Sequence, residues 1–332
     1  MKNKHIFFVS IIAIACLLLS VLLSITYGVK SVGFDKVIQA LFHPDNNSFD
    51  INVIRARIPR TVFGILAGCA LGVSGALMQS ITRNPIADPS ILGVNTGASL
   101  FVVIGIAFFH INTGTQYIWL AFFGAAITAV LVYGLASVGQ DGATPIKLAL
   151  AGAAASTSLQ SLVNTIMMPK TQVMDRFRFW QVGSISGATW EDIQLILPYL
   201  IIGFILAAFL TPSLNTLALG DELATGLGIH VTRTRGLAAL AGILLCASAT
   251  ALAGPIGFIG LMVPHLVRFL YGPDIRKILP LSAIYGSTLL LIADVLGRIL
   301  GRPGELESGI ITALLGAPVF IFIIRKVKIS TL

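Results

Sequence analysis

Long apolar runs alternate with short polar or glycine-rich stretches along the whole chain. A helix needs about 20 apolar residues to cross a bilayer, and about ten such runs can be placed. They lie near residues 6–27, 61–81, 91–110, 117–138, 146–168, 193–216, 236–253, 256–271, 278–300 and 308–324. The pattern predicts an all-α polytopic membrane protein in which residues 1–332 form a single transmembrane domain.

The composition agrees with this class. Of the 332 residues, 56% are hydrophobic and only 11% are charged, whereas soluble domains carry roughly 25% charged residues. The three cysteines, Cys16, Cys69 and Cys246, all fall inside apolar runs and far apart. That spacing indicates small buried side chains and not metal ligands. We expect neither a metal site nor a cofactor, and no nucleic-acid partner.

Lysine and arginine positions predict the orientation. Lys2 and Lys4 precede the first run and no small-residue cleavage site follows it, so we expect a retained first helix. With the amino terminus inside, twelve lysines and arginines fall on the inner side and ten on the outer side. This small excess, together with the basic ends of the chain, predicts that both termini and residues 217–231 are cytoplasmic.

Residues 217–231 form the most distinctive polar interlude. Leu219, Leu223 and Leu227 recur every four residues, as they would on one face of a short helix, and Gly226 and Gly228 predict where that helix breaks. A plain turn between spans is the simpler interpretation, but the leucine spacing favours a segment that presses on another protein. The residues assigned to this contact are Gly220, Asp221, Glu222, Leu223, Thr225, Gly226, Leu227 and Gly228.

Basic residues gather just before the second run, on the predicted outer side. Arginines there either reach lipid headgroups or dock the acidic groups of a partner, because guanidinium pairs carboxylates bidentately. Arg298 follows Asp294 by one helical turn, where a local ion pair is expected. The preceding outer loop predicts a short helix near residues 35–42 and a turn at residues 44–47.

Two helix faces are unusual. Small residues in the second run recur at Gly64, Gly68 and Gly72, with Gly75 close by, which favours close helix packing within the chain or between two chains. One face of the fifth run is neutral and polar. That face either binds neighbouring helices through hydrogen bonds or lines a pathway for a bulky polar solute. Its residues are Thr157, Gln160, Ser161, Asn164 and Thr165.

Several motifs, in a constant order over nearly the whole chain, resemble the permease family of iron-siderophore, haem and vitamin B12 ABC importers. The first half carries Arg57-x-Pro59-Arg60, Ser74-Gly75-x-x-x-Gln79 and Arg83-Asn84-Pro85-x-Ala87-x-Pro89-x-x-Leu92-Gly93. The second half carries Ala218-Leu219-Gly220, Ala253-Gly254-Pro255, Pro264-His265-x-x-Arg268, Ala293-Asp294-x-x-x-Arg298 and Gly316-Ala317-Pro318-x-Phe320. One departure is Glu307, which stands where the family usually has proline.

The resemblance implies a bacterial cell-membrane protein that forms a dimeric helical bundle with an identical or homologous permease subunit. The polar fifth helix and the last helix would flank its central pathway. Arg57, Arg60 and Arg298 would hold acidic knobs on an extracellular or periplasmic substrate-binding protein, and two separate ATPase subunits would grip residues 217–231. The implied cargo is a ferric siderophore or a related iron chelate, with vitamin B12 or haem as the alternative.

The sequence also limits the energy source. It has no G-x-x-x-x-G-K-[ST] phosphate loop and no assignable catalytic set, so we do not expect an enzyme. Ion-coupled transporters keep ionisable groups in mid-span, whereas the acid that lies well inside a run here, Asp294, has an arginine one turn away. An ion-coupled secondary transporter, a channel and an intramembrane enzyme remain distant alternatives. We predict a passive gate that a cytoplasmic ATPase drives.

Overall fold

The computed structural model of the chain describes residues 2–42, 48–139 and 144–326, and the turn predicted at residues 44–47 lies outside them. The described residues form thirteen α-helices and one 3₁₀ turn. The helices are α1 Lys2–Thr26, α2 Phe34–Phe42, α3 Phe49–Thr82, α4 Val94–Phe108, α5 Gly114–Ala136, α6 Pro145–Met167, α7 Thr171–Val182, α8 Trp190–Leu217, α9 Asp221–Gly226, α10 Val231–Ala253, α11 Ile259–Tyr271, α12 Ile275–Leu300 and α13 Ser308–Lys326. The 3₁₀ turn, Pro89–Leu92, precedes α4.

Ten apolar helices match the ten predicted runs. Within the described ranges, seven helices are long and apolar enough to cross a membrane, namely α1, α3, α5, α6, α8, α10 and α12. The shorter apolar helices are α4, α11 and α13. The predicted class, an all-α polytopic membrane protein, is confirmed. The remaining helices, α2, α7 and α9, are short and lie in the connections.

The second span begins earlier than the sequence predicts. Helix α3 begins at Phe49 and not near residue 61, so the arginine-rich segment is helical and Pro59 lies inside the helix. The early turns are stabilised because Ile51 and Ile54 are fully buried in a small cluster with α2 residues Val37 and Ala40. This apolar contact extends α3 at its N-terminal end, so that the helix begins before the arginine and proline residues that predicted its start.

Helix α3 is the centre of the bundle, and its glycine face explains why. Gly68 and Gly72 lie against the backbone of α12 at Gly286 and Ser282, and Gly75 lies against Gly260 at the start of α11. A Cβ at any of these positions would overlap that backbone. The small-residue face therefore serves packing inside this chain.

Polar side chains fix the same contacts. Ser74 Oγ donates to the carbonyl of Gly242 in α10 at 2.6 Å, and Gln79 Nε2 donates to the carbonyl of Leu261 in α11 at 3.0 Å. Arg268 Nη1 in turn donates to Gln79 Oε1. Hydrogen bonds in an apolar interior hold helices in one register because an unpaired group there is unfavourable. The Ser74 and Gln79 motif residues are thus structural ties around α3.

The bundle has two ends, which we name by residue. At the Arg298 end, the last turns of α1 and α12 meet, since Arg298 Nη1 donates to the carbonyl of Ser24 at 2.8 Å. At the Asp221 end, Asn215 near the close of α8 donates to Asp274 Oδ1 at 2.8 Å, just before α12 begins. Hydrogen bonds from Asn215 and from the Arg276 N–H hold the pKa of Asp274 below its ordinary value. The two ends correspond to the predicted outer and inner sides.

Candidate functional site

The segment of residues 217–231 carries an exposed row of leucines. Leu219, Leu223 and Leu227 are 62%, 61% and 65% exposed. The helix predicted here is present as α9, and it ends at Gly226 as the glycines indicate. Gly228 follows with φ +84°, and the Ile229 N–H bonds the Ala224 carbonyl at 2.9 Å. The row is apolar surface that no part of the described chain covers.

Two arginines from different helices hold this segment in place. Asp221 Oδ1 accepts from Arg83 Nη2 at the end of α3, and from Arg235 Nη2 of α10 at 3.0 Å. The same Arg83 nitrogen donates to the carbonyl of Leu217 at 2.8 Å. These charges are partly exposed, so each pair contributes little to stability and mainly fixes position. The leucine row therefore sits on an anchored element.

The connection after Arg83 links the anchored segment of residues 217–231 to α6. Asp88 accepts the Ser90 N–H at 2.9 Å and so caps the 3₁₀ turn, and burial raises the pKa of its carboxyl. Within this turn, the carbonyl of Ile91 lies where a side chain at Gly152 of α6 would be. Segment 217–231, the end of α3 and α6 thus form one chain of contacts. Sequence reasoning missed Arg83 and Arg235 as anchors, although both were predicted on the side of Asp221.

At the Arg298 end, two arginines and two carboxylates form a network. Asp294 Oδ1 accepts from Arg60 Nη2 at 2.7 Å, and Asp294 Oδ2 accepts from Arg298 Nη2 at 2.8 Å. Glu305 Oε2 accepts from Arg60 Nη1 at 2.8 Å. The local pair between Asp294 and Arg298, predicted from their spacing, is confirmed. The partners of Arg60 are more than 230 residues away in the sequence, which is why spacing did not reveal them.

Arg57 joins the same end of the bundle through carbonyl groups. Its guanidinium donates to the carbonyls of Ile25 at 3.0 Å, Thr26 at 3.1 Å and Lys30 at 2.6 Å. These carbonyls belong to the end of α1 and the residues after it, where a helix leaves acceptors unpaired. Arg57 thus caps α1, and its positive charge is stabilised by the negative end of the helix dipole.

The three arginines predicted to dock a partner therefore lie together, but inside the chain. Arg57 and Arg60 are 8% exposed and Arg298 is 1% exposed. The side chains of Arg57 and Arg60 bind groups of this chain, which disfavours contact of these two arginines with lipid headgroups. Docking of an acidic partner stays a prediction. Glu307, the departure noted in the sequence, is partly buried, and the acid that pairs with the cluster is Glu305.

The polar face of α6 lies on the surface of the chain. Four of its residues are exposed and Gln160 is partly buried. Its hydrogen bonds stay within α6: Thr157 bonds the Ala153 carbonyl at 2.9 Å, and Gln160 bonds Asn164 Oδ1 at 3.2 Å. Ser161 and Thr165 likewise bond carbonyls one turn earlier. The hydrogen bonds of this face therefore do not join α6 to other helices of the described chain. Its role as a pathway wall stays a prediction.

A basic cavity of about 560 Å³ opens beside α4 and α7 at the Arg298 end. Its lining includes His110, Lys170 and Arg176 but no carboxylate. Lys170 Nζ donates to the Ala107 carbonyl at 3.0 Å, and Arg176 donates to Asn112 Oδ1. The lining has the charge to accept an anion. Across the described residues, no group of three or more His, Cys, Asp or Glu could hold a metal ion.

Comparison with known proteins gives a consistent result. The sequence profile of the FecCD transport family matches residues 16–326. The ferric enterobactin transport system permease protein FepD of Escherichia coli K12 is 41% identical over 310 residues, covering 93% of this chain and 92% of its own. The Fe(3+)-citrate import system permease protein YfmD of Bacillus subtilis 168 is 40% identical over 316 residues, covering 95% of this chain and 94% of its own.

A solved structure agrees at the level of the fold. A metal-chelate type ABC transporter in an inward-facing conformation superposes with a TM-score of 0.82 and 26% sequence identity. The match covers 95% of this chain and 98% of that one. The helices, their order and their packing are therefore those of an ABC transporter membrane subunit.

Proposed function

Because this chain belongs to the FecCD transport family, we propose that it is the permease subunit of an ABC importer that carries a ferric siderophore or related iron chelate into the cytoplasm. The similar permeases named above serve ferric enterobactin and ferric citrate. Those names favour an iron chelate over vitamin B12 or haem as cargo. The chain itself is not an enzyme, and ATP hydrolysis takes place on a separate subunit.

The observation that carries this function is the anchored leucine row of residues 217–231. An exposed apolar row is a typical partner surface, because its burial removes apolar area from water. The ion pairs of Asp221 to Arg83 and Arg235 transmit a push on this row to α3 and α10. We assign the row to two ATPase subunits, one on each of two permease copies.

The exposed polar face of α6 supports a second permease subunit. A membrane-spanning helix that leaves threonine, serine and asparagine on its outside needs water or another polar surface there. Pairing of two subunits through α6 and α13 supplies both, since the paired faces enclose a hydrophilic pathway. Nucleotide-driven closure of the ATPases then rocks the helices around this pathway. The neutral lining binds cargo weakly and so releases it.

The ends of the bundle set the direction of transport. The Arg298 end receives a substrate-binding protein loaded with the chelate, with Arg57, Arg60 and Arg298 as the proposed docking residues. In this proposal the Asp221 end faces the cytoplasm, and both termini lie on the cytoplasmic side. This arrangement corresponds to a multi-pass protein of the bacterial cytoplasmic membrane.

The ATPase contact is tested by co-purification. Leu223→Ser removes the centre of the exposed row, and Leu300→Ser is the matched control because Leu300 is 63% exposed at the opposite end of the bundle. We expect affinity-tagged Leu223→Ser permease to lose most of its ATPase, while Leu300→Ser retains a wild-type amount. Equal ATPase recovery with both variants would remove residues 217–231 as the contact.

A further inference from the structure

The two carboxylates that bind Arg60 differ in how firmly they are held. Asp294 is 1% exposed and accepts from Arg60 Nε at 3.1 Å and from Nη2 at 2.7 Å. Glu305 accepts from the remaining nitrogen, Nη1, at 2.8 Å, and its side chain is 37% exposed. Asp294 is thus a fixed inner partner, whereas Glu305 is the partner on the solvent side.

Glu305 lies on the connection between α12 and α13. This connection is attached by neighbours of Glu305: Arg302 Nη2 donates to the Gly28 carbonyl at 2.6 Å, and the Leu306 N–H donates to the Gly297 carbonyl at 3.1 Å. The Glu305 side chain can therefore turn to solvent while the connection keeps its place. Once it turns away, one edge of the Arg60 guanidinium becomes available.

We propose that Glu305 occupies the place of a partner carboxylate on Arg60, and that an acidic residue of the substrate-binding protein replaces it on docking. This inference rests on the proposed docking of such a protein at the Arg298 end. Charge favours the exchange, since Arg57, Arg60 and Arg298 carry three positive charges against the two carboxylates of the network. Two positive charges are uncompensated once Glu305 points to solvent.

The exchange avoids the main cost of using a buried arginine for recognition. A buried guanidinium that loses its carboxylate is strongly destabilising. Here Arg60 stays paired with Asp294 throughout, and the carboxylate of the partner replaces that of Glu305. In the free transporter, Arg60 therefore keeps both of its carboxylate partners. A partner surface without a correctly placed acidic residue forms no stabilising contact with Arg60.

The test compares Glu305→Gln with Glu307→Gln. Both remove one negative charge from the same connection, but in the structure Arg60 pairs with Glu305. The measurement is the Kd between the assembled transporter in lipid nanodiscs and the substrate-binding protein of its own transport system, by biolayer interferometry. Since an ion pair with one solvent-exposed partner is worth roughly 0.2–1 kcal/mol, we expect Glu305→Gln to lower Kd about 1.4- to 5-fold and Glu307→Gln to leave it near wild type. Equal Kd changes in the two variants would overturn the exchange.

A second set of variants separates this inference from the docking role itself. Arg60→Lys keeps the charge and the pair to Asp294 but loses the forked geometry. If Arg60→Lys weakens binding and Glu305→Gln leaves Kd unchanged, the exchange is wrong and docking stands. If Arg57→Lys, Arg60→Lys and Arg298→Lys all bind like wild type, the docking role fails, and the exchange fails with it. Unchanged melting temperatures establish that each variant is folded.

Discussion

Asp294 shows how much one buried carboxylate can support. It pairs with Arg60 from α3 and with Arg298 from its own helix, at a position where water is excluded. Arg298 then extends the network to α1 through the carbonyl of Ser24. A single side chain thereby joins three helices at the Arg298 end. The arrangement also shows that the acid within this span forms ion pairs with two arginines of the same chain.

We predict that Asp294→Asn lowers the stability of the subunit by about 3 kcal/mol. The change removes the carboxylate that pairs with Arg298 and leaves Arg60 paired with Glu305 alone. The measurement is the melting temperature of the detergent-solubilised chain, followed by fluorescence-detected size exclusion. Asp175→Asn is the control, because Asp175 forms an exposed pair with Arg178 at 3.5 Å. A melting temperature for Asp294→Asn equal to that of Asp175→Asn would contradict the structural role of the network.

At this scale the sequence predicts local partners and misses distant ones. The pair of Asp294 and Arg298 follows from helical spacing, so it could be predicted. The pairs of Arg60 with Asp294 and Glu305, and of Asp221 with Arg83, depend on which helix ends meet, and spacing carries no information about that. The capping of α1 by Arg57 could not be predicted either, because its partners are backbone carbonyls.

Among the elements, α3 packs through its glycines against the backbone of two other helices. Its glycines at positions 68, 72 and 75 bring its backbone against α12 and α11. Backbone, unlike a flexible side chain, has little freedom to move aside when an added atom overlaps it. Each of these contacts is therefore sensitive to a single methyl group.

Gly75→Ala tests this closeness. The new Cβ would overlap the backbone of Gly260, whereas at Gly134 of α5 a Cβ meets nothing within 4 Å. We expect Gly75→Ala to destabilise the subunit by about 1–3 kcal/mol, the usual effect of overpacking, or to prevent its assembly. Gly134→Ala should melt at or slightly above the wild-type temperature, because alanine favours helix. Equal melting temperatures would mean that α3 and α11 can separate easily.

The existence of the helices could be predicted better than their limits. Apolar runs predicted the ten apolar helices of the described residues. The leucine spacing predicted a helix in residues 217–231, but of the three leucines α9 contains Leu223 alone. The start of α3 was missed because arginine and proline at residues 55–60 indicate a boundary, while the stabilising contact of Ile51 and Ile54 with α2 is tertiary. The glycine spacing predicted close packing but left open whether the partner was in the same chain. Only the fold identifies Gly286, Ser282 and Gly260 as the partners.

For the whole molecule, the distribution of exposed surface is informative. Most polar groups of the buried helices are bonded inside the chain, whereas the leucine row of residues 217–231 and the polar face of α6 are not covered. These two surfaces lie on different elements and differ in chemistry, one apolar and one polar. The first suits an ATPase and the second suits a pathway shared with another subunit. The proposed function therefore depends on assembly with these partners.

We predict that proteoliposomes containing the permease and its ATPases accumulate ferric chelate only with ATP and loaded substrate-binding protein. A protonophore should leave the initial uptake rate unchanged, since ATP and not a proton gradient drives the proposed gate. The assay follows radioactive iron retained in the vesicles. Vesicles with the permease alone are the control. Accumulation in these control vesicles, or its loss on protonophore addition with ATP present, would contradict an ATP-driven gate.

The glycine contacts of α3 also bear on how the subunit moves. Helices that touch through backbone atoms have little room to shift against one another, so we expect α3, α11 and α12 to move as one rigid unit. We therefore expect relative motion at helix contacts that are made through side chains, and at the exposed polar face of α6. In the proposed transporter these three helices then form a rigid core, and the helices around the pathway change their position relative to it.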